Sequence, residues 1–148
     1  MDAVVLLPGQ GERIAAGAST AVMKATAETT GGAFSMSEGT FPAGMSGPPP
    51  HAHHHTTDTF YVLEGTLHVT VGEREIDAPA GSYILVPPGV VHTFANTSDA
   101  PVRFLNINAP GGWEHYLRDL ADAMRAGTMP GSAEFAQIVA KYDFVVPA

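Results

Sequence analysis

Short runs in which apolar and polar positions alternate, each closed by Gly, Pro, Asp or Asn, occupy the first two-thirds of the chain. A period of two is the signature of strands with one buried face. It predicts strands over Val4–Leu7, Arg13–Ala16, Ala21–Ala27, Ala33–Phe41, Thr59–Leu63, Thr66–Val71, Tyr83–Val86, Val91–Asn96 and Val102–Asn108. Glu64-Gly65 reads as a two-residue hairpin turn, with glycine free to take positive φ. The strands follow one another too closely for crossover helices, so the sheet is expected to be antiparallel and the fold all-β, a sandwich or barrel with its core over about residues 20–110.

The period changes after Pro110-Gly111-Gly112. Trp113, Tyr116, Leu117, Leu120 and Met124 recur at helical spacing, and Phe135, Ile138, Val139 and Tyr142 repeat it after an N-cap at Ser132. Two C-terminal helices are predicted, over about 112–126 and 132–142, each with one apolar stripe to pack on the barrel.

Composition narrows the function classes. The 148 residues hold 16 Gly and 12 Pro, a turn-rich but not disordered content, and the 45% apolar share supports one packed domain spanning 1–148. With 15 acidic against 7 basic side chains, the chain lacks the basic face that nucleic acid requires. No apolar run reaches the length of a membrane span or a signal-peptide core, which makes a soluble cytoplasmic protein the expectation. Cysteine is absent, so any metal must sit on histidine and carboxylate.

Histidine is where the chemistry gathers. His51, His53, His54 and His55 fall within five positions, directly after the stiff Gly47-Pro48-Pro49-Pro50 entry, and Asp58 follows. On an extended strand His51 and His53 leave the same face and reach one ion, while His54 points away toward solvent. His55 shares their parity but stands where the chain must turn if Asp58 is to return to the site. His92, after Pro87-Pro88-Gly89, offers a further nitrogen. Imidazole and carboxylate together suit a first-row divalent metal, and Fe, Mn, Ni, Co, Cu and Zn all accept that donor set. His68 on a strand and His115 on the polar side of a helix read as structural.

These residues resemble a known family. The segment from Gly47 to Gly65, with His51-Ala52-His53, Asp58 and a glycine seven residues later, resembles the first cupin motif, and Gly81 to Asn96, with Pro87, Gly89, His92 and Asn96, resembles the second. Asp58 stands where the family usually has Glu. The resemblance implies a small double-stranded β-helix (jelly-roll-like) barrel with His51, His53, Asp58 and His92 around one divalent transition metal. Alternation then turns Phe60, Val62, Phe94 and Asn96 inward, as an expected substrate pocket. Either the chain brings the shorter Asp58 close enough to bind, or a water completes the shell.

Within the cupins, the run His51 to Gly65 and the terminal helix after Pro110-Gly111-Gly112 are most similar to small single-domain proteins of the quercetin dioxygenase-like group. That similarity implies dioxygen-dependent opening of an enolic or aromatic small molecule, with Asp58 as the catalytic base. A non-catalytic small-molecule or metal-binding barrel and a metal-dependent isomerase or decarboxylase are the alternatives on the same scaffold. A homodimer is expected, formed through the N-terminal strands or the outer barrel face, because small barrels leave edges that a second copy can cover.

Overall fold

The computed structural model describes residues 1–148. Nine strands form: β1 (Glu12–Ala16), β2 (Ser19–Ala25), β3 (Ser35–Phe41), β4 (Thr57–Glu64), β5 (Thr66–Val71), β6 (Arg74–Pro79), β7 (Tyr83–Val86), β8 (His92–Ala95) and β9 (Val102–Ala109). A one-turn helix α1 (Ala27–Thr30) interrupts them, and α2 (Trp113–Arg125) and α3 (Ala133–Val139) follow. The strands make a six-stranded sheet in the order β1-β2-β3-β9-β4-β7 and a three-stranded sheet β6-β5-β8, with every pairing antiparallel. This is the all-β, double-stranded β-helix architecture that the pattern and the motifs predict.

Burial follows the period of two. In β9 the inward positions are Val102, Phe104, Asn106 and Asn108, and in its partner β3 they are Ser35, Ser37, Gly39 and Phe41. One end of the barrel interior is therefore apolar and the other polar. At the apolar end Phe41, Phe60, Val62, Leu67, Val69, Ala78, Val86, Val102 and Phe104 pack as one core. Gly65 makes the β4–β5 turn at φ 77°, where a Cβ would also lie 2.4 Å from the Pro101 carbonyl oxygen, so both conformation and space require glycine.

The helical stripe of α2 lands as its spacing predicts. Leu117, Leu120 and Met124 pack on Ile14, Ala16 and Met23 of β1 and β2, while Tyr116 joins Phe135, Val139 and Phe144 in a separate cluster. The first turn of α2 is fastened by Glu114, which is almost wholly buried. Its carboxylate accepts hydrogen bonds from Ser35 Oγ at 2.5 Å and from the Ala27 backbone N–H at 2.8 Å. Burial alone would raise the Glu114 pKa, but these donors outweigh it and hold the group below its ordinary value. A depressed carboxyl stabilises the fold above the unfolded-state pKa, near 4.5, and that contribution is lost as pH falls through the folded value. Glu114→Gln is therefore expected to lower the urea midpoint at pH 7 and to flatten its fall below about pH 4.5.

Two expectations are corrected. Residues 4–7 form no strand, and Val4, Val5, Leu6 and Leu7 stand exposed, because no other strand lies beside this apolar run to complete its backbone hydrogen bonds. Strand β6 escaped the sequence pattern because its inward face offers only two apolar positions, half-buried Ile76 and buried Ala78, in Arg-Glu-Ile-Asp-Ala-Pro. The second terminal helix also stops at Val139, short of the expected residue 142. No helix is long and apolar enough to cross a membrane.

Candidate metal centre

The His51–His53 segment is held between two other pieces of chain. Upstream, Gly47 passes so close to β8 that a Cβ there would lie 1.7 Å from the Phe94 carbonyl oxygen. His51 then exchanges both backbone hydrogen bonds with His92, at 3.0 and 2.8 Å, which sets the two imidazoles side by side. Ala52 exchanges its pair with Val145 from the C-terminal segment, at 2.8 Å each. Each HxH residue thus belongs to a bridge or a tight contact rather than to a long strand, yet the same-face geometry of His51 and His53 survives.

Asp58 enters from β4 between β7 and β9, in register with Val86 and Asn108. His51, His53, Asp58 and His92 are all buried, and one ligand atom from each lies within 4.8 Å of all the others. Asp58 Oδ2 is 3.0 Å from His92 Nε2 and 3.6 Å from His53 Nε2. The chain therefore brings the shorter carboxylate in among the three rings.

The proton inventory of this cluster is unusual. The Nδ1 of His51 lies 2.8 Å from the Pro49 carbonyl oxygen, that of His53 2.5 Å from Asp143 O, and that of His92 3.0 Å from Val90 O. A carbonyl can only accept, so each Nδ1 carries a hydrogen, and in the neutral form of each ring Nε2 is the atom left with a lone pair. Without a metal, a hydrogen on His92 Nε2 can donate to Asp58 Oδ2 at 3.0 Å; with all three rings neutral, three nitrogen lone pairs and a carboxylate oxygen face one point. His53 Nε2 is buried and has no hydrogen-bond partner. A divalent cation satisfies all four acceptors at once, and the donor chemistry fits a first-row transition metal.

Burial shapes the titration of the cluster. It pushes the His51 imidazole down to about 4, so the ring is neutral at pH 7 with its lone pair available. At Asp58 burial favours the neutral acid, but the facing His53 and His92 and the Asn106 amide more than offset it and draw the carboxyl down to about 2. Burial likewise opposes charge on His53, and the Asp58 carboxylate and Asp143 carbonyl together outweigh it and raise that pKa. At 3.6 Å the His53–Asp58 contact is electrostatic attraction rather than a hydrogen bond.

Four positioning residues went unremarked in the sequence. Asn106 and Asn108 each donate a side-chain N–H to Asp58 Oδ1, at 2.6 and 2.9 Å, leaving Oδ2 as the oxygen that faces the imidazoles. The signal that could have found them is the inward parity of Asn106-Ile107-Asn108 on a strand whose other inward residues are apolar. Asn108→Ala is expected to weaken metal binding about 10–100-fold, the usual cost of removing a hydrogen bond to a ligating group, as read by chelator competition. Asp143 accepts from the backbone N–H groups of His54, His55 and Thr56 and from Thr56 Oγ1, so it shapes the turn between His53 and Asp58. Phe144 stacks on His51 at 4.1 Å between centroids and 7° between planes. Trp113, already read as part of the α2 stripe, meets His53 edge-on at 5.1 Å.

The remaining histidines lie apart. His54 and His55 are exposed, His68 Nδ1 pairs with Asp77 across β5 and β6 at 2.8 Å, and His115 lies on the outer face of α2. The expected pocket residues divide. Phe94 lines a cavity that opens beside the cluster, but Phe60 and Val62 are wholly buried in the apolar core and do not line it. Asn96 is also buried, donating to the carbonyls of Phe41, Pro42 and Ala100. Alternation turned these three inward correctly, but inward at their end of the barrel means packed core.

The cavity, of about 180 Å³, lies between α2 and the barrel mouth. Its walls include Phe41, Phe104, Trp113, Leu117, Leu120 and Phe135, and His51, Asp58 and Asn106 form one end.

Comparison with known proteins agrees with this architecture. Residues 37–108 match the family model described as a cupin domain. The chain is 29% identical over 126 residues to quercetin 2,3-dioxygenase of Bacillus subtilis, covering 85% of this chain but only 37% of that protein's length. Among solved structures, an RmlC-like cupin from Shewanella frigidimarina superposes with a TM-score of 0.65 at 22% identity, covering 77% of this chain and 96% of the other. A sugar phosphate isomerase of the cupin superfamily from Silicibacter pomeroyi gives 0.55 at 22% identity, covering 62% and 59%. These structural likenesses establish the fold.

Proposed function

We propose that this chain, whose residues 37–108 match the cupin domain model, is a metal-dependent dioxygenase acting on a small enolic or aromatic molecule. The observation that carries the metal half of this reading is the convergence of three Nε2 atoms and Asp58 Oδ2 within 4.8 Å, with His53 Nε2 left without a partner. The similarity to the Bacillus subtilis dioxygenase supports the oxygen half. His51, His53, Asp58 and His92 would hold one divalent ion. When bound, it supplies Lewis acidity toward a substrate oxygen and the electronic coupling that reaction with dioxygen requires.

The protein's own groups do the rest. The apolar walls of the cavity displace water from the substrate ring and orient it toward His51 and Asp58. Asp58 Oδ1 is occupied by two amides, so Oδ2 is the atom that would receive the substrate's hydroxyl proton. The reaction balances without an external reductant: one dioxygen is consumed, both its atoms enter the products, and a carbon–carbon bond of the enolic ring breaks.

Oxygen uptake by metal-reconstituted protein over a panel of enolic aromatics tests the proposal. The expected result is uptake of one dioxygen per substrate, abolished by chelator. Conversion without oxygen consumption, or no conversion of any member, contradicts it. We further propose a homodimer: β1 and β7 are open sheet edges, and the exposed run Val4–Leu7 offers apolar surface to a second copy. A monomeric mass by light scattering at micromolar concentration contradicts the dimer.

A further inference from the structure

We infer that the cavity beside the metal centre selects a single-ring ligand that presents an oxygen to the metal and carries no charge elsewhere, and disfavours both ligands with an anionic group away from the metal and three-ring flavonols. This rests on the metal-centre reading above and narrows its substrate class. Charge comes first. No lysine or arginine lines the cavity, and its sole acidic side chain, Asp58, lies at the metal end. A phosphate or carboxylate on the part of the ligand away from the metal would be desolvated against Phe41, Phe104, Leu117 and Leu120 with no basic side chain to meet it. The chain's formal net charge of -8 repels anions from the outside as well.

Size is the second argument. The cavity holds about 180 Å³. An engineered apolar cavity of about 150 Å³ accepts benzene, whereas sites for drug-sized ligands run to about 300–1,000 Å³. One ring with a short apolar substituent therefore fits the space between α2 and the barrel. A flavonol, with three rings, exceeds it and would leave part of its ring system outside the apolar walls. The polar groups at the metal end, His51, Asp58 and Asn106, give the ring one wet edge, and the remaining walls are mainly aromatic and aliphatic, with the hydroxyl residues Ser19, Thr20, Ser37 and Ser46 among them.

Three probes sharing one chelating head separate these terms: maltol, a neutral one-ring 3-hydroxy-4-pyranone; comenic acid, the same ring type bearing a carboxylate; and 3-hydroxyflavone, the same head on three rings. Calorimetric titration into nickel-loaded protein, with metal content checked by elemental analysis before and after, is expected to give maltol a Kd at least tenfold tighter than either of the others. p-Cresol, which lacks the chelating head, is expected to bind with or without metal. Ala16→Leu, which places a larger side chain in the cavity wall, is expected to weaken maltol and p-cresol binding at least tenfold with metal content unchanged. Equal or tighter binding of comenate or 3-hydroxyflavone overturns the inference, as does wild-type p-cresol affinity in Ala16→Leu. Failure to load metal would instead count against the metal centre itself, and p-cresol still tests the cavity in that case. Selective maltol binding without oxygen uptake would contradict the dioxygenase reading and leave this one standing.

Discussion

Asp58→Asn is expected to abolish metal binding and to lower the stability of the metal-free fold at pH 7, because the folded state holds the Asp58 carboxyl down to about 2. The reason lies in the arrangement of donors. In the wild type, Asp58 Oδ1 accepts from Asn106 and Asn108, and Oδ2 faces His53 Nε2 and His92 Nε2, which are acceptors too when each Nδ1 hydrogen is committed to a carbonyl. An asparagine keeps its carbonyl oxygen on the two amides and turns its NH₂ toward the two imidazoles. The substitution thus loses the stability that the depressed Asp58 carboxyl contributes and points hydrogens at the nitrogens that must offer lone pairs to a metal, including the unpartnered His53 Nε2. It also removes the only negative charge at the centre and points N–H groups at the position a cation would take. Metal affinity is expected to fall by more than the roughly 100-fold upper range seen for outer hydrogen-bond partners. Calorimetric metal titration and thermal unfolding of the chelator-treated protein check the two halves; wild-type affinity in the variant would remove Asp58 from the site.

The second large effect is expected at a residue far from the motifs. Asp143→Ala removes the acceptor for three consecutive backbone N–H groups and for Thr56 Oγ1, and with them the brace on the turn linking His53 to Asp58. The same residue's backbone carbonyl orients His53, and its neighbours Phe144 and Val145 stack on His51 and pair with Ala52. Loosening this segment therefore disturbs two of the four candidate ligands together. Water can reach the exposed His54 and His55 amides, which limits the stability cost to about 2 kcal/mol, in the range for a hydrogen-bonded charged group. Metal affinity is expected to fall about 10–100-fold. Asp143→Asn, which retains one acceptor oxygen, should lose less of both, and equal losses in the two variants would point to general unfolding of the C-terminal segment instead.

These two residues also mark what was legible in the chain. Asp58 was readable because its relation to His51 and His53 is local: a stiff proline entry, two histidines of equal parity and a turn lie within the twelve residues 47–58. His92 was readable through its own turn, Pro87-Pro88-Gly89, and through the family resemblance. Asp143 is 90 residues from His53 along the chain, and nothing in Lys-Tyr-Asp-Phe signals a partner. Asn106 and Asn108, 48 and 50 residues from Asp58, announce themselves only once β9 is known to pair with β4. The strands with alternating burial, β9 above all, were located to within a residue or two. Val4–Leu7 shows the converse failure, since an apolar run has strand character but forms no strand without a neighbour to receive its hydrogen bonds.

The departure from the family at Asp58 also has a physical resolution. The carboxylate is one methylene shorter, yet from β4, between β7 and β9 with Asp58 opposite Asn108, its Oδ2 still comes within 3.0 Å of His92 Nε2. The two amides then hold Oδ1, so Oδ2 is presented in a single orientation. A longer side chain would lose that brace or push the carboxylate into the imidazoles.

The central claim is that these four side chains bind one divalent transition metal. Elemental analysis of protein purified without a histidine tag tests it most directly, with His92→Ala purified alongside. The account predicts close to one equivalent of a divalent first-row metal per wild-type chain after loading and desalting, and less than about a tenth of an equivalent in the folded variant. Wild-type protein that retains no metal, or a His92→Ala protein that retains a full equivalent, would contradict it.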